Sequence, residues 1–242
     1  MAYSYGVNDG KVALQAVTRR PFTGEVQQQI QAMTVEGQAS ANGVREAAEF
    51  LYNLVRDTTT VAVTSYQFFT GLTPSSAGLD YLVSSDANPN DLNDAYYANF
   101  SLENRYINFA VNLGILGEGA IGFGAIYGSL TFAQTVDAVY DKVIGKAVAT
   151  AAGFDVAAAI ADITSRQSYF EAVARERAPG LDQGQATKAG LVGYVIAEAV
   201  KANVGLYAHS VGNFYLDLTD GSGEYRVDLV GIYGPGTTLD GV

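Results

Sequence analysis

The sequence predicts a mostly α-helical fold, and three observations carry that expectation. Apolar residues recur at the i, i+3, i+4, i+7 spacing of a helical face through most of the chain. Glycine and proline punctuate those stretches at intervals that suit helix ends. Strict alternation, the mark of a half-buried strand, is confined to the last thirty residues.

Helices are predicted near 22–36, 41–57, 75–84, 91–113, 131–146, 155–178 and 185–202. In the second, Val44, Ala47, Ala48, Leu51, Leu54 and Val55 share one face, Asn42 is the N-cap and Glu46 suits the first turn. The β-branched run Thr58–Val63 has strand propensity, but its flanks are helical and no partner strand is evident, so it is read as helix. Pro74 marks a helix end and a new start, residues 86–91 form a turn, the stretch Gly114–Gly119 separates two helices and Ala178-Pro179-Gly180 closes another. Near the C-terminus, 214–218 and 225–229 alternate around Asp220-Gly221-Ser222-Gly223, which predicts a short β-hairpin. Gly234-Pro235-Gly236 then opens a tail. The expected organisation is a helical domain over 1–210 and a hairpin and linker over 211–242.

One internal repeat stands out. Tyr66, Gly71 and the run Ala77-Gly78-Leu79-Asp80 recur, with one residue of difference in the gap, as Tyr140, Gly145 and Ala152-Gly153-Phe154-Asp155. The physical reading is a helix stopped at glycine, a turn, and a second helix starting near the aspartate. Two such hairpins packed together would share a core.

Composition narrows function. The 242 residues are about half hydrophobic, enough for a real core, and carry a formal charge of -11. That charge argues against nucleic acid and against a bare anionic membrane surface. With no cysteine there are no disulfides or thiolate metal sites. The first residues lack a basic region followed by an apolar run, so no secretory signal peptide is expected there. The uncharged stretch from Gly119 to Val136 is the most membrane-like, but its glycines and polar residues favour a buried glycine-rich helix or loop over a membrane span.

Nothing in the sequence assembles a catalytic site. His209 is the sole histidine, and its surroundings show no nucleophile elbow. The glycines from 119 to 124 fit neither a dinucleotide fingerprint nor a P-loop. A non-enzymatic protein is expected.

The predicted helix over 91–113 carries the most informative chemistry. At 100° per residue, Asn93, Tyr97, Ser101, Asn104 and Asn108 share one face, flanked by Asp94 and Arg105. Ala95, Leu102, Tyr106, Phe109 and Leu113 make an ordinary core stripe opposite. Amides match sugar hydroxyls as donors and acceptors, and an aromatic ring covers a sugar's C–H face. The polar face reads either as a carbohydrate-binding surface or as a plain solvated or interhelical face. The oxygen-rich cluster Asp86, Asn88, Asn90 and Asp91 suits turn and cap chemistry first and Ca²⁺ second, since it lacks the spacing of an EF-hand loop.

The unit Tyr66–Asp80 resembles a helical repeat of secreted bacterial surface proteins, keeping Tyr66, Gly71, Pro74, Gly78 and Leu79 but carrying Leu72 where that repeat often has arginine. More specifically, Thr64–Gly71, Asn90–Tyr97, Glu103–Phe109, Ala133–Val136 and Gly145–Gly153 resemble the N-terminal domain of Caulobacter-type surface-layer (S-layer) proteins. The resemblance implies a compact helical spiral that binds the O-antigen of lipopolysaccharide and tethers a protein coat to the outer membrane. It also implies an extracellular location, export by a type I system, and other copies or a lattice as partners. The calcium-binding glycine–aspartate nonapeptide array that accompanies the family's lattice region does not occur in these 242 residues. A protein-interaction domain that binds no glycan is the alternative.

Overall fold

The computed structural model describes residues 53–72, 74–88, 91–202 and 204–205, with Thr18, Arg19, Gly24, Glu25, Gln28 and Phe50 nearer the N-terminus. Most of the helices expected at 22–36 and 41–57, and all of the C-terminal hairpin, the tail and His209, lie outside these residues. Everything regular among the described residues is helical. The delimited helices are α1 (Thr59–Thr70), α2 (Ser76–Val83), α3 (Leu102–Ile115), α4 (Ala120–Tyr127), α5 (Phe132–Val143), α6 (Lys146–Ala151), α7 (Val156–Ser165), α8 (Gln167–Arg177) and α9 (Gln183–Ala202).

Helices α3 and α9 form the spine, with the most extensive helix–helix packing among the described residues. Most of α9 is buried, from Ala186 through Val200, as expected of a helix surrounded on all sides. Small residues let the two backbones approach closely. A Cβ built on Gly193 would lie 2.3 Å from the Tyr106 carbonyl oxygen, and one on Gly114 would lie 2.7 Å from the Ala189 methyl. Around this spine, α1 packs on α3, α2 and α4, while α8 and α5 pack on α9 and α7 packs on α5. One continuous core joins them, with Tyr106, Phe170, Leu191 and Ile196 wholly enclosed.

Helix α1 shows why strand propensity did not decide Thr58–Val63. Thr59 to Ser65 is buried throughout, so tertiary packing outweighs a weak local preference. The threonine hydroxyls also satisfy themselves within the helix: Thr64 Oγ1 donates to the Thr60 carbonyl at 2.6 Å and Thr70 Oγ1 to the Tyr66 carbonyl at 2.7 Å.

The repeat is half preserved in three dimensions. Both glycines end a helix with positive φ, 71° at Gly71 and 81° at Gly145, a conformation only glycine adopts without strain. Asp155 caps α7, accepting from the Ala158 N–H at 3.0 Å. Asp80 does not start a helix. Ser75 caps α2 instead, and Asp80 lies inside that helix, paired with Arg19 at 3.2 Å.

Three expected long helices are broken, each by identifiable side chains. Residues 91–113 are not one helix: Asp91 to Phe100 form successive turns, and α3 begins after the N-cap Ser101. Asp91 Oδ1 accepts from the Asn93 N–H at 2.7 Å and Asp94 Oδ1 from the Tyr96 N–H at 2.8 Å. Such Asx turns compete with helical hydrogen bonding. Residues 131–146 stop at Val143, and Asp141 Oδ1 then accepts from the Lys146 N–H at 3.0 Å to open α6. Residues 155–178 split at Arg166, where Ser165 Oγ turns back to the Asp162 carbonyl.

The glycine-rich stretch after Gly119 is not the buried segment expected from its apolarity. Only Phe123 and Tyr127 of α4 are buried, while Ile121 and Ile126 face outward and Leu116 is exposed beside them. The helix turns 91° from α3 and docks by one edge, through Gly119 against Phe69 and through a stack of Phe69, Phe123 and Tyr127. Among the described residues no single helix is long and apolar enough to cross a membrane. At the far end of α9, Gly205 presses on the corner between α5 and α6, where an added Cβ would lie 2.5 Å from the Val143 carbonyl oxygen.

Candidate glycan-binding face

The residues singled out on 91–113 separate into two layers. Tyr97, Arg105 and Asn108 are buried, whereas Ser101 and Asn104 are exposed and Asn93 and Asp94 are half-buried. Asn93 Nδ2 donates to the Val83 carbonyl at 2.7 Å, so it ties the turn to α2. Asp94 caps the turn at Tyr96, and Ser101 accepts from the Asn104 N–H at 3.2 Å as the α3 cap. Arg105 Nη1 donates to the carbonyls of Leu92 and Asp57 at 2.9 and 3.1 Å, and its Nε to that of Phe100 at 3.4 Å. This guanidinium fastens two irregular segments, the turns of 91–100 and the turn before α1, to α3, using its planar set of donors.

The structure brings together Tyr97 and Asn108. The Tyr97 hydroxyl donates to Asn108 Oδ1 at 2.6 Å, and Asn108 Nδ2 donates to the Tyr96 hydroxyl at 3.2 Å. Burial pushes the Tyr97 phenol well above its ordinary pKa, with the neighbouring Tyr96 adding to the shift. Tyr97 is therefore a neutral, internal donor that orients Asn108. Asn108 in turn orients Tyr96, which is 41% exposed.

Sequence reasoning missed the outward half of this arrangement: Tyr96, Phe100, Asn112 and Arg177. Arg177, at the end of α8, donates to the Tyr96 hydroxyl at 3.1 Å and lies over the Phe100 ring at 5.0 Å. Tyr96 packs edge-on to Tyr97 at 5.0 Å and against Phe100 at 5.1 Å. Asn112, exposed one turn beyond Asn108, donates to its Oδ1 at 3.4 Å. The doublet Tyr96-Tyr97 was visible in the sequence, but nothing signalled that the first ring would face out and the second in. No local pattern could find Arg177, 81 residues from Tyr96. Tyr169, also 41% exposed, lies within the electrostatic reach of Glu103 and Arg177 on the same side.

The acidic turn is occupied by its own backbone. Asp91 Oδ2 accepts from the Ser85 N–H at 3.0 Å, its other oxygen from Asn93, and Asn88 Nδ2 donates to the Tyr81 carbonyl at 2.9 Å. Asp86 is exposed and Asn90 lies outside the described residues. Among those described, no three His, Cys, Asp or Glu residues come together as a metal cage. The donor set fits a capped turn.

The described helices thus hold an exposed aromatic–amide face on a buried hydrogen-bonded layer. No curated protein matches the chain. The family model of the RsaA N-terminal domain matches residues 58–239, most of the sequence, and the chain belongs to that family of Caulobacter-type S-layer domains. This is a structural family of the cell surface.

Proposed function

We propose that the chain is a non-enzymatic anchoring module that binds lipopolysaccharide O-antigen and tethers an S-layer or S-layer-associated protein to the outer membrane. One observation carries the choice of face. The Tyr96 hydroxyl accepts from both Asn108 and Arg177, which leaves its proton to donate outward beside the amides of Asn104 and Asn112. Its ring supplies an apolar surface for a sugar's C–H face. Repetition of the domain across a surface array lets a weak single site suffice.

The test is binding of the purified chain to smooth lipopolysaccharide, with rough material lacking O-antigen as control, in calcium and in chelator. Binding to smooth material alone, weakened tenfold or more by Tyr96→Phe with Asn104→Ala, is expected. The chelator lane decides whether Ca²⁺ takes part. A folded chain that binds neither material overturns the reading. It would favour a protein-interaction domain instead, for which the outward Leu116, Ile121 and Ile126 are the supporting observation.

A further inference from the structure

A cavity opens among α5, α7 and α9. Tyr140 of α5, Phe154 before α7, Asp162 and Ile163 of α7, and Tyr194 and Glu198 of α9 surround a cavity of about 140 Å³. Its walls are mostly hydrocarbon and ring, and its polar groups are few and convergent, as in small-molecule sites. Tyr140 and Tyr194 are only 4% and 5% exposed, and among the described residues neither hydroxyl has a hydrogen-bond partner, so both are left to the cavity they line. Two hydroxyls without a protein partner that line a single cavity are free to pair with a ligand's own donors and acceptors. At the rim, Arg166 occupies Asp162 Oδ2 and Lys201 occupies Glu198 Oε1. Each carboxylate therefore keeps one oxygen with no donor among the described residues. Burial also raises the pKa of both phenols, so they are neutral and able to donate.

We propose that this cavity is a subsite for one uncharged sugar ring, an inference that rests on the glycan-anchoring reading above. The two phenols and the two free carboxylate oxygens provide donors and acceptors for adjacent hydroxyls. Phe154 and Ile163 cover the ring's C–H face. The unoccupied carboxylate oxygens at the rim can only accept hydrogen bonds, so they disfavour the carboxylate of a uronic acid there. The cavity is also joined to the first face: Lys201 bridges Glu198 at its rim to Glu103 at 2.8 Å, next to Asn104. A polysaccharide seated by one residue in the cavity can thus continue across the start of α3 toward Tyr96.

The experiment follows the ring signals of ¹³C-labelled tyrosine by NMR. Three probes are added in turn: O-polysaccharide released from smooth lipopolysaccharide, a panel of neutral monosaccharides, and a uronic acid. Tyr140→Phe and Tyr194→Phe assign the two signals. They keep the rings and remove only unpaired hydroxyls, so the thermal midpoint should not fall. The expected result is movement of both signals with the polysaccharide and at least one neutral sugar, none with the uronic acid, and affinity at least tenfold lower in the double variant. Should the variant not fold, Asp162→Asn at the exposed rim gives the same test, with weaker binding expected. Movement elsewhere without movement at Tyr140 and Tyr194 overturns the subsite and leaves anchoring intact. Movement at the cavity with a monosaccharide but no polysaccharide binding upholds the subsite and overturns anchoring. No movement with any probe overturns both.

Discussion

Helices α9 and α4 are both rich in glycine and apolar residues, yet they use glycine in opposite ways. In α9, Gly193 is the place where two backbones touch, because Tyr106 of α3 occupies the space a side chain would need. In α4, a Cβ on Gly122 would meet nothing within 4 Å. The first glycine sets an interhelical distance. The second sets none, and only leaves an exposed helix less rigid. Amino-acid type therefore does not reveal a glycine's role; its neighbour across the interface does.

Four substitutions or conditions sharpen that contrast. The largest effect is expected from Gly193→Ala, which must separate α3 from α9 and should cost about 3 kcal/mol or more, as overpacking against rigid backbone does. Chemical denaturation would measure it, and a loss below about 0.5 kcal/mol would show that the spine is not held at this contact. Gly119→Ala comes next, since its Cβ would lie 2.5 Å from Phe69 Cβ and 2.8 Å from the Phe69 carbonyl oxygen. A loss of about 1–3 kcal/mol is expected, with α4 loosened before the spine in hydrogen exchange. Gly122→Ala should reverse the sign and stabilise by about 0.5–1 kcal/mol, through helix propensity alone.

The smallest effect concerns the corner where α3 gives way to α4. The Tyr66 hydroxyl donates to Glu118, and that bond, followed by partial burial, raises the Tyr66 pKa to about 12. Below pH 10 both folded and unfolded chains keep the proton. Between about pH 10 and 12 the unfolded chain loses it first, so this contribution to stability falls as pH rises. Comparing the pH dependence of the protein with that of Tyr66→Phe isolates it; identical slopes over that range would mean the bond does not secure the corner.

These contrasts bear on what the sequence could disclose. Helix existence was legible wherever a stop was chemically forced, as at Gly71 and Gly145, or a cap was unambiguous, as at Asp155. The preference for helix at Thr58–Val63, made on its helical flanks and the lack of a partner strand, held because the run packs in the core. Continuity was not legible. Asn93 and Asp94 suit a helix face and an Asx turn equally, and the choice between them was made by Val83 and Tyr96, partners that a periodicity argument does not weigh. The candidate face failed in the same manner: Tyr97 and Asn108 do act together, but inside the protein, and the outward chemistry passed to Tyr96, Asn112 and the distant Arg177. That Tyr140 and Tyr194 line one cavity was not legible, because it depends on how α5 and α9 pack.

Gly205 carries a mechanical consequence. The chain beyond α9 does not leave freely from the helix end, because Gly205 is clamped against Val143 and Ile144 at the corner of α5 and α6. A pull on the residues that follow would be delivered first to that corner and shared with the core, instead of peeling the last turn of α9 one hydrogen bond at a time. Resistance to force is governed by the unfolding barrier rather than by equilibrium stability. Widening residue 205 is therefore expected to shorten the lifetime of the domain under tension more than it lowers its melting temperature.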